Sequence, residues 1–253
     1  YDDYNETAAD GKEKYYGESR VCAYLAFTLD WAITKNVRMF GLFAQNEIQM
    51  PGEKDSLRGK MFPDGIGGQL GFEVKIPVKT EGYWYAGMEG LYTTPWLYIK
   101  HDADWSLYRR RYDNLMHTAW PINTWIGTQF GPDTIAGQIR GGYEKPGEWK
   151  LEGLYRFAVQ GENSFNLFNN PDGTTTAVDG HYHYYPVAGY DSGYYTADEA
   201  IALAEETTPT GIPQYTHRIQ VQGSYKVLQW LEVSGRTGYA FIANCNHIEG
   251  NFQ

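Results

Sequence analysis

The chain has 253 residues, a net charge of −10 at neutral pH and a mean hydropathy of −0.55. So acidic a chain lacks the basic face that nucleic-acid binding requires, which argues against a nucleic-acid partner. The sequence contains no run of about 18 apolar residues, so no transmembrane helix is predicted. A membrane β-barrel remains open, because it alternates its lipid-facing residues with polar ones.

The first predicted hairpin follows a polar, Tyr-rich start. Residues 1–20 show no alternation, which indicates a loop. Over residues 21–34 the large apolar side chains fall at every second position, and Asp30 falls on the opposite face. Only the two-residue period of a strand places all of them on the face away from Asp30, so a strand is predicted. A short turn at 35–36 leads to a second strand over 37–46, where the alternation is less regular.

The second hairpin follows a loop of medium length. Residues 47–64 form this loop, with Pro-Gly at 51–52 and Pro-Asp-Gly at 63–65, both typical of turns. Alternation predicts strands over 66–76 and 82–92, with a tight turn between them at 78–81. The next segment, 93–133, is long and rich in Trp, Tyr and Arg.

Residues 134–160 carry the clearest pattern in the chain. Two arms of about ten residues alternate apolar and polar side chains on either side of Glu-Lys-Pro-Gly at 144–147. Strands of globular proteins are typically about 5–6 residues long. Arms of this length with aromatic residues at both ends are typical of membrane-spanning strands, which need roughly 9–11 residues.

One more long segment and one more hairpin complete the chain. Within residues 161–214, Thr196 and Glu199 have the spacing of a capping box ahead of an Ala-rich run, which predicts a short helix. Alternation then predicts strands over 216–225 and 231–241.

The connections between these eight strands alternate strictly between short and longer. Outer-membrane barrels have short periplasmic turns and longer extracellular loops, so we expect an all-β fold: an antiparallel transmembrane β-barrel with two long outer loops. The expected setting is the bacterial outer membrane, with its lipid around the barrel. With the short turns in the periplasm, this alternation would place both chain ends outside the cell. Bacterial barrels normally keep both ends in the periplasm, so we expect 1–253 to be a single barrel domain that is incomplete at both ends. A secreted β-sandwich is the alternative fold.

The alternation also predicts which side chains line the barrel lumen. The predicted lumen-lining residues are Asp30, Glu73, Lys75, Glu89, Arg140, Glu152, Arg156, Arg218, Glu232 and Arg236. In a soluble sandwich the same residues would face water. The four arginines at positions 140 to 236 come from successive strands and would attract an anionic solute. The interspersed glutamates favour instead a salt-bridged, partly filled interior.

Signals for catalysis, cofactors or metals are weak. The sequence contains no phosphate-binding Gly loop, nucleophile elbow or HExxH helix, so no catalytic residue, cofactor or metal is predicted. His181 and His183 share a spacing that suits a metal, but only Asp179 lies near as a third ligand. Cys22 and Cys245 are either paired in a disulfide or both free.

The long segment 93–133 and the Tyr-rich segment after residue 180 are the predicted ligand-binding regions. Aromatic rings stack on the apolar face of sugars, and arginine binds carboxylates through two hydrogen bonds. This chemistry suits an acidic polysaccharide. The alternative is that the same rings pack the loops over the barrel mouth. The predicted binding residues are Trp96, Tyr98, Trp105, Tyr108, Arg109, Arg110, Arg111, Tyr112, Trp120, Tyr182 and Tyr184.

Several short motifs resemble one known family. Val-Arg-Met-Phe-Gly-Leu-Phe at 37–43 with Asn-Glu at 46–47, Gly-Gln-Leu-Gly at 68–71, Gly-Met-Glu-Gly-Leu-Tyr at 87–92 and Gly-Thr-Gln-Phe-Gly-Pro-Asp at 127–133 occur in that order. Together they resemble the capsule-assembly outer-membrane proteins of the Wzi type over roughly residues 20–160. The resemblance implies a larger barrel that holds capsular or other surface polysaccharide at the cell surface and catalyses no reaction on it.

The sequence therefore predicts three alternative functions. The first is a non-catalytic, lectin-like barrel that binds or anchors surface polysaccharide. The second is a porin-like channel for small or anionic solutes, indicated by the charged face. The third is a secreted carbohydrate-active enzyme on a β-sandwich.

Overall fold

The structure of the chain is a computed structural model. It describes residues 5–7, 13–15, 24–79, 81–99, 108–115, 118–125, 128, 130–163, 185–191 and 193–253.

The described residues are dominated by β-strands. In chain order the strands are β1 (Asn5–Thr7), β2 (Glu13–Tyr15), β3 (Leu25–Thr34), β4 (Val37–Glu47), β5 (Gly65–Pro77), β6 (Tyr83–Thr93), β7 (Tyr108–Leu115), β8 (Thr118–Trp125), β9 (Thr134–Lys145), β10 (Trp149–Gln160), β11 (Gln214–Leu228) and β12 (Leu231–Ala243). The helices are α1 (Pro51–Lys54), α2 (Leu57–Lys60), α3 (Pro186–Asp191) and α4 (Ala197–Ala204), followed by a 3₁₀ turn at Cys245–His247.

Eight of these strands form one antiparallel sheet, as predicted. Its order is β12-β11-β10-β9-β6-β5-β4-β3, so each strand pairs with its neighbour along the chain except where β6 pairs with β9. The short turns lie where the strands end on one side of this sheet, and we call this row of strand ends the turn edge. The connections 48–64, 94–133 and 161–213 leave from the opposite edge, the loop edge.

Two small hairpins lie outside the large sheet and were not predicted. β1 pairs with β2 within the start of the chain, where a loop was expected, and β7 pairs with β8 inside the segment 93–133. The loop prediction was wrong for these residues. The sequence of β7, Tyr-Arg-Arg-Arg-Tyr-Asp-Asn-Leu, lacks a regular alternation of apolar and polar residues.

The large sheet has two chemically different faces. The apolar face exposes large side chains on every strand and the polar face carries charges and amides. The exposed residues of the apolar face include Phe27, Trp31, Leu70, Phe72, Trp84, Met88, Ile139, Leu151, Ile219, Val221, Tyr225, Val233 and Tyr239. Within the described part of the chain no second sheet covers this face, because the other two sheets have only two strands each. That arrangement does not fit the β-sandwich alternative, whose two sheets bury such a face.

The hydrophobic core lies beyond the loop edge and not against the sheet. It is built from residues of three loop segments: Met61, Trp96, Leu97, Tyr98, Ile99, Tyr185, Val187 and Ala200. Helix α4 joins this core through Ala200, and its capping box is present as predicted: Thr196 Oγ1 accepts from the Glu199 amide, and the Glu199 carboxylate accepts from the Thr196 amide. No helix in the described residues is long and apolar enough to cross a membrane.

Candidate functional site on the polar face

All ten predicted lumen-lining residues lie on the polar face of the sheet. Strand register places their side chains on one side because residues paired across neighbouring strands share a face. The set is Asp30 on β3, Glu73 and Lys75 on β5, Glu89 on β6, Arg140 on β9, Glu152 and Arg156 on β10, Arg218 on β11, and Glu232 and Arg236 on β12.

The half of this face nearest β3 is neutralised by ion pairs. Arg38 of β4 donates two hydrogen bonds of 2.8 Å to Asp30 and lies 3.2 Å from Glu73. Arg140 contacts the other oxygen of Glu73. One carboxylate thus lies between two guanidinium groups from strands on either side of it.

Towards the turn edge the face is filled around Glu152. This carboxylate is 6% exposed and accepts from Tyr85 Oη at 2.7 Å and from Gln222 Nε2 at 2.6 Å. Lys150 lies 3.4 Å from it. These contacts fill and neutralise this part of the polar face.

A polar pocket opens towards the loop edge, and we call it the Arg156 pocket. Its cavity has a volume of about 230 Å³. It is lined by Gln69, Glu89, Leu91, Thr128, Phe130, Ala136, Gly137, Gln138 and Arg156. Typical small-molecule pockets have roughly 300–1,000 Å³, so this one fits a small group such as one unit or substituent of a longer chain.

Hydrogen bonds orient the polar groups of the Arg156 pocket. The Glu89 carboxylate accepts from Gln138 Nε2 at 2.6 Å and from Gln69 Nε2 at 3.3 Å. Gln138 Oε1 in turn accepts from two nitrogens of Arg156, at 3.1 and 3.3 Å. The guanidinium group also lies over the Phe130 ring, 5.6 Å from its centroid. An aromatic ring, a cation, a carboxylate and amides thus line one small pocket.

Phe130 reaches the pocket because its backbone is held by the first residue of β9 and the last of β10. The Phe130 carbonyl accepts from Gln160 Nε2 at 3.0 Å and from Thr134 Oγ1 at 3.4 Å. The contact with Gln160 joins residues 30 positions apart in the sequence. The alternation pattern predicted the strand positions but missed Phe130 and the glutamines as parts of a site. Phe130 does lie within the Gly-Thr-Gln-Phe-Gly-Pro-Asp motif at 127–133.

A buried carboxylate, Asp133, connects the loops to the sheet at the loop edge, and we call this contact the Asp133 junction. Asp133 is fully buried and accepts from the Thr210 amide at 3.1 Å and from the Thr210 hydroxyl. Burial raises the pKa of Asp133, although these hydrogen bonds favour the carboxylate. Gly161 is required beside it, since a Cβ at that position would lie 1.9 Å from Asp133 Oδ2. The junction ties the ends of two long loops to β9.

Glu206 adds a titratable group to the same region. Burial, together with the smaller effect of the charges of Asp133 and Glu162, raises the pKa of Glu206 to about 7. One carboxylate oxygen of Glu206 is buried without a hydrogen-bond partner. Within the described residues no cluster of His, Cys, Asp and Glu has the geometry of a metal site.

We expect Glu206→Gln to stabilise the loop edge above pH 7. The folded-state pKa lies above the unfolded one, so the free energy of local unfolding falls as pH rises from about 4 to 7 and stays low above that. Since the group is partly exposed, the gain at pH 8 should be only about 1–2 kcal/mol. Hydrogen exchange of amides 205–213, compared between variant and parent at each pH, measures it. The exposed neighbour Glu205→Gln is the control; equal effects of the two changes would contradict the assignment.

The predicted polysaccharide-binding residues fall into three groups. Trp96 and Tyr98 are 3% and 2% exposed in the loop core, which favours their alternative role in loop packing. Trp96 Nε1 donates to the Leu203 carbonyl at 3.1 Å, and Tyr98 Oη accepts from the Thr128 amide at 3.3 Å. Neither ring has a face open to a sugar, so stacking by these two residues is not supported.

The remaining predicted binding residues lie on the β7–β8 hairpin or outside the described residues. Tyr108, Arg109, Arg110, Arg111, Tyr112 and Trp120 are on the hairpin, whose register pairs Arg110 with Asn123. Trp105, Tyr182 and Tyr184 lie outside the described residues, as do His181, His183 and Cys22. Cys245 is buried with a free thiol, 3.3 Å from Gln253 Oε1.

Comparison of the chain with protein-family models, with curated proteins and with solved structures gives no match.

Proposed function

We propose that the chain forms part of the wall of a bacterial outer-membrane β-barrel. This barrel binds surface polysaccharide and catalyses no reaction on it, as in the capsule-assembly proteins that its motifs resemble. The observation that carries the membrane part is the exposed apolar face of the eight-stranded sheet. Water would disfavour so many exposed large side chains on one face, at about 25 cal/mol per Å² of apolar surface. Contact with lipid instead of water removes the free-energy cost of exposing these side chains.

The dimensions of the apolar face support this proposal. Tyr215 and Tyr225 mark its two ends on β11, ten residues apart. At about 3.3 Å per residue and a tilt of about 40°, that length spans roughly 25 Å, the height of an outer-membrane apolar band. Near the turn edge Tyr143 lies 5.1 Å from Trp84 and 4.9 Å from Trp149, between ring centroids. This row corresponds to an interfacial aromatic girdle.

The polysaccharide part rests on the loop edge. The Arg156 pocket combines an aromatic ring with amide and guanidinium donors, which is the chemistry that sugars require. The β7–β8 hairpin, with its three consecutive arginines among tyrosines, leaves from the same edge.

The test measures polysaccharide binding by the full-length protein on a glycan array. We expect Trp120→Ala with Arg110→Ala, and separately Phe130→Ala, each to lower binding about tenfold, as typical for loss of a stacking or charged contact. Trp230→Ala is the matched control, because Trp230 is 79% exposed at the turn edge. Binding that survives both sets of changes would count against the proposal.

A porin-like channel is the second candidate. Arg218 and Arg236 favour it, because within the described residues neither has a carboxylate partner and both are exposed on the polar face. Single-channel recordings of the full-length protein distinguish the two. An anion-selective conductance that falls in Arg236→Gln would support the channel, and absence of conductance would remove it.

A further inference from the structure

The polar face of the sheet is electrostatically uneven. On its β3 side each guanidinium group is matched by a carboxylate, because Arg38 pairs with Asp30 and Arg140 with Glu73. On its β10–β12 side Arg156 and Arg218 are cross-strand partners in the register of β10 and β11. Residues directly opposite each other have Cβ atoms about 4.5–5.5 Å apart, and like charges there repel.

Nothing in the described residues neutralises this arginine pair. Arg156 is held by Gln138 and Phe130, neither of which carries a charge. Glu89, the nearest acid on the same cross-strand row, accepts from Gln138 and Gln69 instead. The side chain of Arg218 makes no hydrogen bond or ion pair among the described residues. Two adjacent cations therefore remain beside the pocket.

The bonds to Gln138 leave part of the Arg156 guanidinium available. A guanidinium group has five N–H donors, and two of the Arg156 nitrogens bind Gln138 Oε1. The rest of the group and all five donors of Arg218 remain for a ligand. A planar oxyanion accepts two parallel hydrogen bonds from such a group. Its charge would also remove the repulsion between the two arginines.

We propose that Arg156 and Arg218 together bind a carboxylate substituent of an acidic polysaccharide. This assignment rests on the proposed function and names the class of polysaccharide. Phe130, whose ring contacts the same guanidinium group, supplies an aromatic surface for the sugar that bears the carboxylate. The small cavity fits one such unit, and the remainder of the polysaccharide extends past the loop edge.

The experiment measures binding of the full-length protein to polygalacturonate, an acidic polysaccharide, and to dextran, a neutral one. We expect polygalacturonate to bind more tightly, and Arg218→Gln and Arg156→Gln each to weaken that binding about tenfold without affecting dextran. Arg218→Lys should restore part of the affinity, since it retains the charge but not the paired hydrogen bonds. Arg58→Gln, which removes an exposed arginine paired with Asp191 in the loops, is the charge-matched control.

A second readout distinguishes binding from a structural role. Arg218→Gln removes a like-charge contact, so the variant should unfold at the same temperature as the parent or higher. A lower unfolding temperature would identify Arg218 as structural and overturn the assignment.

The outcomes of the binding experiment separate this inference from the proposed function. Equal binding of both polysaccharides, unchanged by Arg218→Gln, would overturn the arginine assignment and leave polysaccharide binding standing. Binding of neither polysaccharide would contradict both. If inorganic phosphate displaces polygalacturonate as effectively as free galacturonate does, the arginines bind any oxyanion, and the sugar assignment is overturned.

Discussion

In the proposed barrel, replacing Ile219 with arginine is expected to destabilise the membrane-embedded sheet strongly. Ile219 lies near the middle of β11 on the apolar face and is 58% exposed. An arginine on the lipid side of a barrel costs about 2–4 kcal/mol near the bilayer midplane. That is a large fraction of the stability of a typical domain, about 5–15 kcal/mol. The measurement is denaturant unfolding of the full-length protein in lipid vesicles, followed by gel mobility.

The next residue provides the control for this prediction. Gln220 lies on the polar face, so Gln220→Arg should change the free energy of unfolding by less than about 1 kcal/mol. The depth dependence offers a second comparison, because Tyr225→Arg near the turn edge should cost only about 0–1 kcal/mol. Equal costs at positions 219 and 220 would contradict a lipid-facing apolar face.

Asp133→Ala is expected to release the loops from the edge of the sheet. The change removes the acceptor of the Thr210 amide and hydroxyl, and hydrogen bonds to a charged group are worth about 1.5–3 kcal/mol each. Asp133 also has a φ of 55°, in the left-handed region that aspartate tolerates better than alanine. We expect a local loss of about 3–5 kcal/mol, measured as hydrogen exchange of amides 161–163 and 205–213.

Asp133→Asn shows how much of that loss comes from the charge, and Asp191→Asn is a control elsewhere in the loops. Asp133→Asn keeps one acceptor oxygen and the tolerance for positive φ, so it should cost less, about 1–2 kcal/mol. Asp191→Asn breaks an exposed ion pair with Arg58 in the loops and should cost less than about 1 kcal/mol. If Asp133→Ala leaves the exchange rates of both segments unchanged, the junction does not hold the loops.

The large sheet could be predicted because its strands carry their own signal. In β10 and β11 most of the large apolar residues alternate with polar ones, and the pairing of Trp149 with Tyr225 places the two patterns on matching faces. The predicted helix after Thr196 was confirmed for a similar reason, because a capping box depends on residues only three positions apart.

The candidate site could be predicted only in part, because it depends on contacts between distant residues. Alternation placed Glu89 and Arg156 on the polar face, but their link through Gln138 follows from strand order and register. Burial of Trp96 depends on segments much further along the chain, which supply Tyr185 and the Leu203 carbonyl, the latter 107 residues away. Composition alone cannot distinguish a ring that packs such a core from one that stacks on a sugar.

The most direct test of a lipid-facing sheet is the accessibility of consecutive positions on β11. Single cysteines at 219, 220, 221 and 222, with Cys22 and Cys245 replaced by serine, would carry a spin label in the full-length protein in lipid vesicles. We predict that labels at 219 and 221 collide mainly with oxygen, which partitions into lipid, and that labels at 220 and 222 collide mainly with a water-soluble nickel complex. Equal access of the nickel complex to all four labels would contradict the account.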